Sequence, residues 1–247
     1  MRSQLLLILP VLLVACGGND KPASDTVATT PDTTSVPVIQ RPWPGYYEDT
    51  LACSDCEGLY TQLWVRSDSS FVRRDRYLGK DSLASGTIGR WKVEGGSLIL
   101  VQSGTGIDHF AQVEAGLQLV DAAGKPVDPK HPNALEKLAD ELQDEIPRMR
   151  VIGTFTYMAD AMSFTPCGSN RNWPCAGGEE WTDEGEVMGS LNTRELERHY
   201  LRSVKQGGEP WVIEVECSLA MGPAMEGDGA DEYIFIHRVL KSGATCP

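Results

Sequence analysis

The stretch Leu59-Tyr60-Thr61-Gln62-Leu63-Trp64-Val65 decides the fold. Leu59, Thr61, Leu63 and Val65 fall on one side of an extended chain and Tyr60, Gln62 and Trp64 on the other, the period-two pattern of a half-buried strand. Working outward, the polar cluster 67–70 turns the chain into a second strand over 71–78. Residues 91–94 and 97–101 flank Gly95 and Gly96, which tolerate the positive φ angles of a tight I′ hairpin turn. A further strand pair surrounds Ala115 and Gly116, and 122–125 reads as another turn. Short strands with turns at close spacing predict a small antiparallel, lipocalin-like barrel over residues 43–130.

Composition changes at 128–132. Asn133 and Glu136 have capping-box spacing, and Leu135, Leu138, Ala139, Leu142 and Ile146 form one helical stripe that Pro147 ends. The expectation is a helical connector over 131–148. Residues 149–247 then begin with a strand over 150–158, followed by a polar, loop-like stretch over 163–190. A second capping box, Asn192 with Glu195, opens a helix with Leu196, Tyr200, Leu201 and Val204 on its apolar face. Gly207 and Gly208 stop it, and strands follow over 211–220 and 233–240. Strands with one capped helix suit an OB-like barrel. The predicted class is therefore mainly β, in two domains.

Upstream of the barrel, Met1 and Arg2 precede an apolar run, Leu5 to Ala15, too short to span a bilayer as a stable helix. Leu13-Val14-Ala15-Cys16 looks like a bacterial lipobox, so residues 1–15 read as a signal peptide and Cys16 as the lipidated first residue. Several acyl chains together anchor stably at a membrane surface where one is marginal. Residues 16–42, rich in Thr, Pro, Asp and Ser, cannot bury enough surface to order themselves and read as a flexible tether. Gly17 after Cys16 lacks the aspartate that retains such proteins in the inner membrane, which points to the outer membrane, facing the periplasm. The chain carries 35 acidic and 22 basic side chains, a net charge of −13. Such a surface repels phosphate backbones, which argues against a nucleic-acid partner.

Beyond Cys16 there are six cysteines: Cys53, Cys56, Cys167, Cys175, Cys217 and Cys246. An even set outside the cytosol reads as disulfides. Cys53-Ser54-Asp55-Cys56 is a CxxC without the thiolate-stabilising helix of a thioredoxin-like site, since Gly58 and a strand follow it. A closed disulfide pinning a loop, a redox-active dithiol and a Cu(I) site are the three readings, because soft thiolates select Cu(I). The four C-terminal cysteines permit three connectivities.

The run Gly45-Tyr46-Tyr47, Leu51 to Gly58, Thr61 and Leu63, then Tyr77-Leu78-Gly79 and Gly89-Arg90-Trp91, resembles the N-terminal domain of the NlpE lipoproteins. Ala52 and Glu57 replace the family's usual prolines, and Ser69 its turn glycine. Gly153, Tyr157 to Ala161, Phe164, Cys167, Pro174, Pro223 and Met225 to Asp228 are similar to a second domain found on relatives of that family. The resemblance implies a non-enzymatic lipoprotein of the outer membrane, concerned with copper resistance, surface adhesion or envelope stress. It also implies an inner-membrane sensor protein as partner. Cys175 and Cys217 stand where such domains more often carry other residues, so the resemblance implies that these two bond to each other and that Cys167 bonds to Cys246.

Other candidate chemistry is sparse. Met158 with Met162, and Met221 with Met225, are i, i+4 thioether pairs that can hold Cu(I) or fill a core. Glu179, Glu180, Asp183, Glu184 and Glu186 lie in a loop, and Glu226, Asp228, Asp231 and Glu232 flank a glycine turn; oxygen-rich turns can hold Ca²⁺, but neither patch has EF-hand spacing and both read as solvated acidic surface. His109, His131, His199 and His237 show no paired ligand spacing, and neither a nucleophile elbow nor a phosphate loop is present. A thiol oxidoreductase and a barrel carrying a small apolar ligand remain as alternatives; the second requires a cavity of several hundred Å³.

Overall fold

The computed structural model describes residues 42–103, 105–130, 133–140, 145–177, 191–224 and 226–246. The signal peptide, Cys16 and the tether lie outside these residues, as do His131, Met225 and the acidic run 179–186.

Eight strands form the first half: β1 (Gly45–Leu51), β2 (Leu59–Val65), β3 (Ser70–Tyr77), β4 (Ala84–Glu94), β5 (Ser97–Gln102), β6 (Thr105–Gln112), β7 (Gly116–Val120) and β8 (Ala134–Ala139). Each pairs antiparallel with its sequence neighbour, and β8 returns to β1 through Tyr46↔Ala139, Tyr47↔Lys137 and Glu48↔Glu136. The meander thus closes into an eight-stranded barrel. Strand alternation sends Tyr47, Leu63, Val65, Phe71, Leu98, Leu100, Phe110, Leu117 and Leu135 inward, where they form one buried cluster. Each such side chain contributes roughly 1.5–3 kcal/mol when taken out of water. Gly89 faces Phe71 across the β3–β4 ladder; a Cβ there would lie 2.4 Å from the Val101 carbonyl oxygen. Gly95 and Gly96, at φ 61° and 81°, make the two-residue hairpin turn between β4 and β5.

The second half contains β9 (Glu145–Met158), β10 (Ala161–Pro166), β11 (Trp173–Gly177), α1 (Thr193–Ser203), β12 (Trp211–Pro223) and β13 (Ala230–Ser242). Its strands form a ring, β9-β10-β11-β13-β12 and back to β9, with β11 and β13 parallel and the other pairs antiparallel. This is a five-stranded OB barrel with one helix. The α1 N-terminus has its full capping box: Asn192 accepts from the Glu195 amide, and Glu195 accepts from the Asn192 amide. Leu196 and Tyr200 are its buried face.

Two expectations about local structure are corrected here. The helical connector expected over 131–148 is not a helix: its described residues form β8 and the start of β9, with Pro147 inside β9. The apparent cap Asn133 instead accepts a hydrogen bond from the Ala52 amide at 2.8 Å. Between β1 and β7 the barrel is one strand short of closure, and pairing two rows of backbone groups outweighs the helix preference of a six-residue segment. The loop-like stretch over 163–190 likewise contains most of β10 and all of β11.

Apolar residues on the outer face of the first barrel belong to the core of the second. Tyr46, Trp64, Val72 and Ile88 on the outer face of the first pack with Ile146, Met149 and Val151 of β9. A short parallel seam, Ala84↔Met149 and Ser85↔Arg150, joins their sheets.

Candidate functional site

Three sulfur sites and one ionic clamp are the chemically distinctive features. The first lies in the loop between β1 and β2, where Cys53 and Cys56 are disulfide-bonded. The loop borders an open groove of about 790 Å³ whose lining includes Leu51, Cys53, Glu57, Lys130 and Asn133. Lys80 donates to Asp55 at 2.6 Å, and that bond holds the Asp55 carboxyl below its ordinary value. One ligand atom from each of Cys53, Asp55 and Cys56 lies within 4.8 Å of the others. While the sulfurs are bonded to each other they are not thiolates; a two-electron reduction to the thiolate pair must come before this set can hold a soft cation. A strand rather than a helix follows the loop, so no helix N-terminus acidifies Cys53.

The second sulfur site is the Cys167–Cys246 disulfide, which ties the end of β10 to the C-terminal segment across 79 residues. It sits at the seam. The Cys167 carbonyl accepts from Gln102 of the first barrel at 3.4 Å. Gly168, at φ 82°, lies so near Gln102 and Ser103 that a Cβ would meet the Gln102 side chain at 2.4 Å.

The third is a correction. Cys175 and Cys217, implied as a bonded pair, are free thiols, both buried. Cys175 lies opposite Ile234 and Cys217 opposite Ile236, so β13 runs between them. Two strand spacings are roughly 9–10 Å, beyond the ~7 Å Cα separation a disulfide can bridge. Burial pushes both thiols well up from their ordinary values, Cys175 further through Cys217 and Cys217 through Glu216, which leaves them protonated and unreactive.

The clamp spans the seam. Arg66, in the turn after β2, donates through both terminal nitrogens to Glu232 of β13. Glu232 also accepts from Trp173 Nε1 at 2.8 Å and pairs with Arg171 at 3.4 Å. Arg171 stacks 4.6 Å above the Trp173 ring and reaches back to Asp68 of the first barrel. The Arg66 and Glu232 side chains are only 10% and 15% exposed. A buried bidentate pair of this kind specifies geometry more surely than it adds stability.

Other candidates resolve less favourably. Met162 sits opposite Tyr157 on the β9–β10 ladder and Met158 opposite Ala161, so the two thioethers point to opposite faces. The Met221–Met225 pair cannot be followed, since Met225 is outside the described residues. Ser218 and the fully buried His237 share a hydrogen bond at 2.8 Å, a core contact. The interior of the first barrel holds, besides its apolar cluster, Arg73 bonded to Asp75 and Asp108, with Thr61 donating to Asp75. Burial disfavours the Arg73 charge, but the two carboxylates outweigh it and raise its pKa. An ionic network is a poor lining for an apolar ligand. Arg73 and Asp75 occupy inward positions in the alternation of β3, a signal open to sequence reading; Arg66 and Glu232, 166 positions apart, left none.

The two family profiles agree with this architecture. The profile of the NlpE N-terminal domain matches residues 47–130, and that of the NlpE C-terminal OB domain matches residues 145–246. Lipoprotein NlpE of Escherichia coli (strain K12) is 28% identical over 178 residues, covering 71% of this chain and 68% of its own. Among solved structures, similarity extends to the Cpx pathway activator NlpE from Escherichia coli, at 24% identity, 79% and 93% coverage of the two chains and a TM-score of 0.32. It extends also to a Shewanella oneidensis protein described as a lipoprotein, at 31% identity, 38% and 88% coverage and a TM-score of 0.33. With the two domain profiles matched in order over about three quarters of its length, the chain belongs to the NlpE lipoprotein family.

Proposed function

We propose that this chain is a non-enzymatic envelope sensor, fixed by an acylated Cys16 to the periplasmic face of the outer membrane, that reports envelope stress or surface contact to an inner-membrane sensor protein. Family membership and the description of the Escherichia coli relative as a Cpx pathway activator support this reading. The observation that carries it is the position of the Cys167–Cys246 disulfide, whose Cys167 carbonyl and adjoining Gly168 lie against Gln102 of the first barrel. Opening this bond would free the C-terminal segment from the end of β10 where that end meets the first barrel, and so give redox state a route to the relation of the two barrels. The test is production of the full chain in cells carrying a Cpx-responsive reporter, with Cys16→Ser and Cys167→Ser/Cys246→Ser variants and palmitate labelling. Labelling that depends on Cys16, and reporter output that rises with the wild-type chain and changes in the disulfide variant, support the proposal. An unlabelled wild-type chain or a flat reporter refutes it.

Copper is the second reading, favoured by the proximity of Cys53, Asp55 and Cys56. Two thiolates and a carboxylate suit Cu(I) once the disulfide is reduced. Titration of Cu(I) into the reduced chain, against a Cys53→Ser/Cys56→Ser control, decides it; equal binding by both removes the loop from copper chemistry.

A further inference from the structure

Arg74 and Arg76 stand apart from the other partly buried cations. Arg66, Arg73, Arg148, Arg171 and Arg238 each meet a carboxylate. Among the described residues, Arg74 and Arg76 do not. They project from β3 on the outer face of the first barrel, opposite Gln62 and Tyr60 respectively. Arg74 donates from Nε to the Arg148 carbonyl at 3.0 Å and from Nη1 to Gln62 Oε1 at 2.6 Å, both neutral acceptors. The Arg76 guanidinium lies 5.7 Å over the Tyr60 ring, and its buried Nε–H has no hydrogen-bond partner. Glu48, in the same patch, has its carboxylate engaged by Tyr46, Tyr60 and Gln62 instead. Burial and the neighbouring Arg76 charge together lower the Arg74 pKa.

We propose that Arg74 and Arg76 form a carboxylate-recognition site whose occupant is an extended acidic segment of a partner protein, with Asp or Glu at alternate positions. Residues i and i+2 on a strand lie roughly 6.6 Å apart on one face, and alternate side chains of an extended peptide share that spacing. Nη2 of Arg74, whose Nε and Nη1 are already engaged, and the terminal nitrogens of Arg76 can each donate to a carboxylate. The bulk charge of −13 turns away phosphate polymers and anionic bilayers, whereas a short acidic segment can dock on a local cationic ledge. The site uses neither the clamp nor the disulfides, so its test stands apart from that of the sensing role.

The test uses the purified full-length chain, labelled with 15N-arginine, and follows the Nε–Hε resonances. The probes are a pentapeptide with glutamate at positions 1, 3 and 5 and serine between, its glutamine counterpart, and inorganic phosphate. The expected result is a saturable shift of the Arg74 and Arg76 signals by the glutamate peptide alone, weakened by salt. Arg76→Gln lowers the affinity at least tenfold, Arg76→Lys lowers it less, and the exposed control Arg90→Gln leaves it unchanged. Should Arg76→Gln fail to fold, Arg74→Gln carries the same test. The proposal is overturned if no saturable shift occurs, if phosphate shifts the signals as strongly as the peptide, or if Arg90→Gln weakens binding as much as Arg76→Gln.

Discussion

Replacing Glu232 with alanine removes the carboxylate on which the clamp converges. The substitution leaves the Arg66 guanidinium, 10% exposed, without its counter-charge and Trp173 Nε1 without its acceptor. Stranding one member of a buried ion pair costs about 3–5 kcal/mol, and an unmet indole N–H about 1–3 kcal/mol. Water entering at the rim relieves part of both, so a loss of about 4 kcal/mol is expected. Urea unfolding reads it directly. With a slope of about 2.5 kcal/mol/M, the midpoint falls by about 1.6 M. The paired replacement Arg66→Met with Glu232→Leu distinguishes a stranded charge from a lost attraction. Apolar side chains of similar volume replace such pairs at little cost, so this variant should recover the stranded-charge part of the loss and keep only that of the unmet Trp173 indole, about 1–3 kcal/mol. A Glu232→Ala loss below about 1 kcal/mol, or an equal loss in the double variant, would show that the charges are solvated and the clamp idle.

Thiol reagent applied to the folded protein should leave Cys175 and Cys217 unmodified, and unfolding without reductant should release two thiols among the six cysteines from Cys53 onward; rapid reaction in the folded state would contradict their burial. Burial, then the Asp140 charge, pushes the Tyr47 phenol up to about 12; burial, then the bond to Glu48, pushes Tyr60 up to about 12. Both folded pKa values exceed the unfolded value near 10, so the folded state holds its protons longer. Their contribution is complete below pH 10 and is lost as pH rises from 10 toward 12; ultraviolet titration of all phenols near 10 with unchanged stability would contradict this. Gly89→Ala should lower stability by about 2–3 kcal/mol, because its Cβ meets a backbone oxygen and the Phe71 ring; an unchanged melting temperature would show that β4 can shift.

What the sequence disclosed was local. The alternation at 59–65, the glycine pair at 95–96 and the Asn192–Glu195 box each act within a few residues, and each lies where the structure has the corresponding element. Ala134-Leu135-Glu136-Lys137-Leu138-Ala139 reads as helix by propensity and by cap, yet it is a strand. The deciding interaction is with β1, about ninety positions away, and no local pattern encodes it. Leu138, on the supposed apolar stripe, is half exposed, while Lys137 bonds to the Pro42 carbonyl and lies over the Tyr47 ring. The cysteine partners depend on strand order in the same way. Only the tertiary ring reveals that β13 separates Cys175 from Cys217. The clamp and the arginine ledge likewise arise from residues that become neighbours only after folding.

Because the final stave of the first barrel bonds to its opening stave, the boundary of an independently studied fragment cannot be placed at residue 130, where the N-terminal profile stops. A piece cut there would expose bare amide rows along β1 and β7, templates for adhesion to any passing strand. The same holds for a nascent chain that emerges from its amino end: its first half stays unsealed, and open to mispairing, until Ala139 has come through.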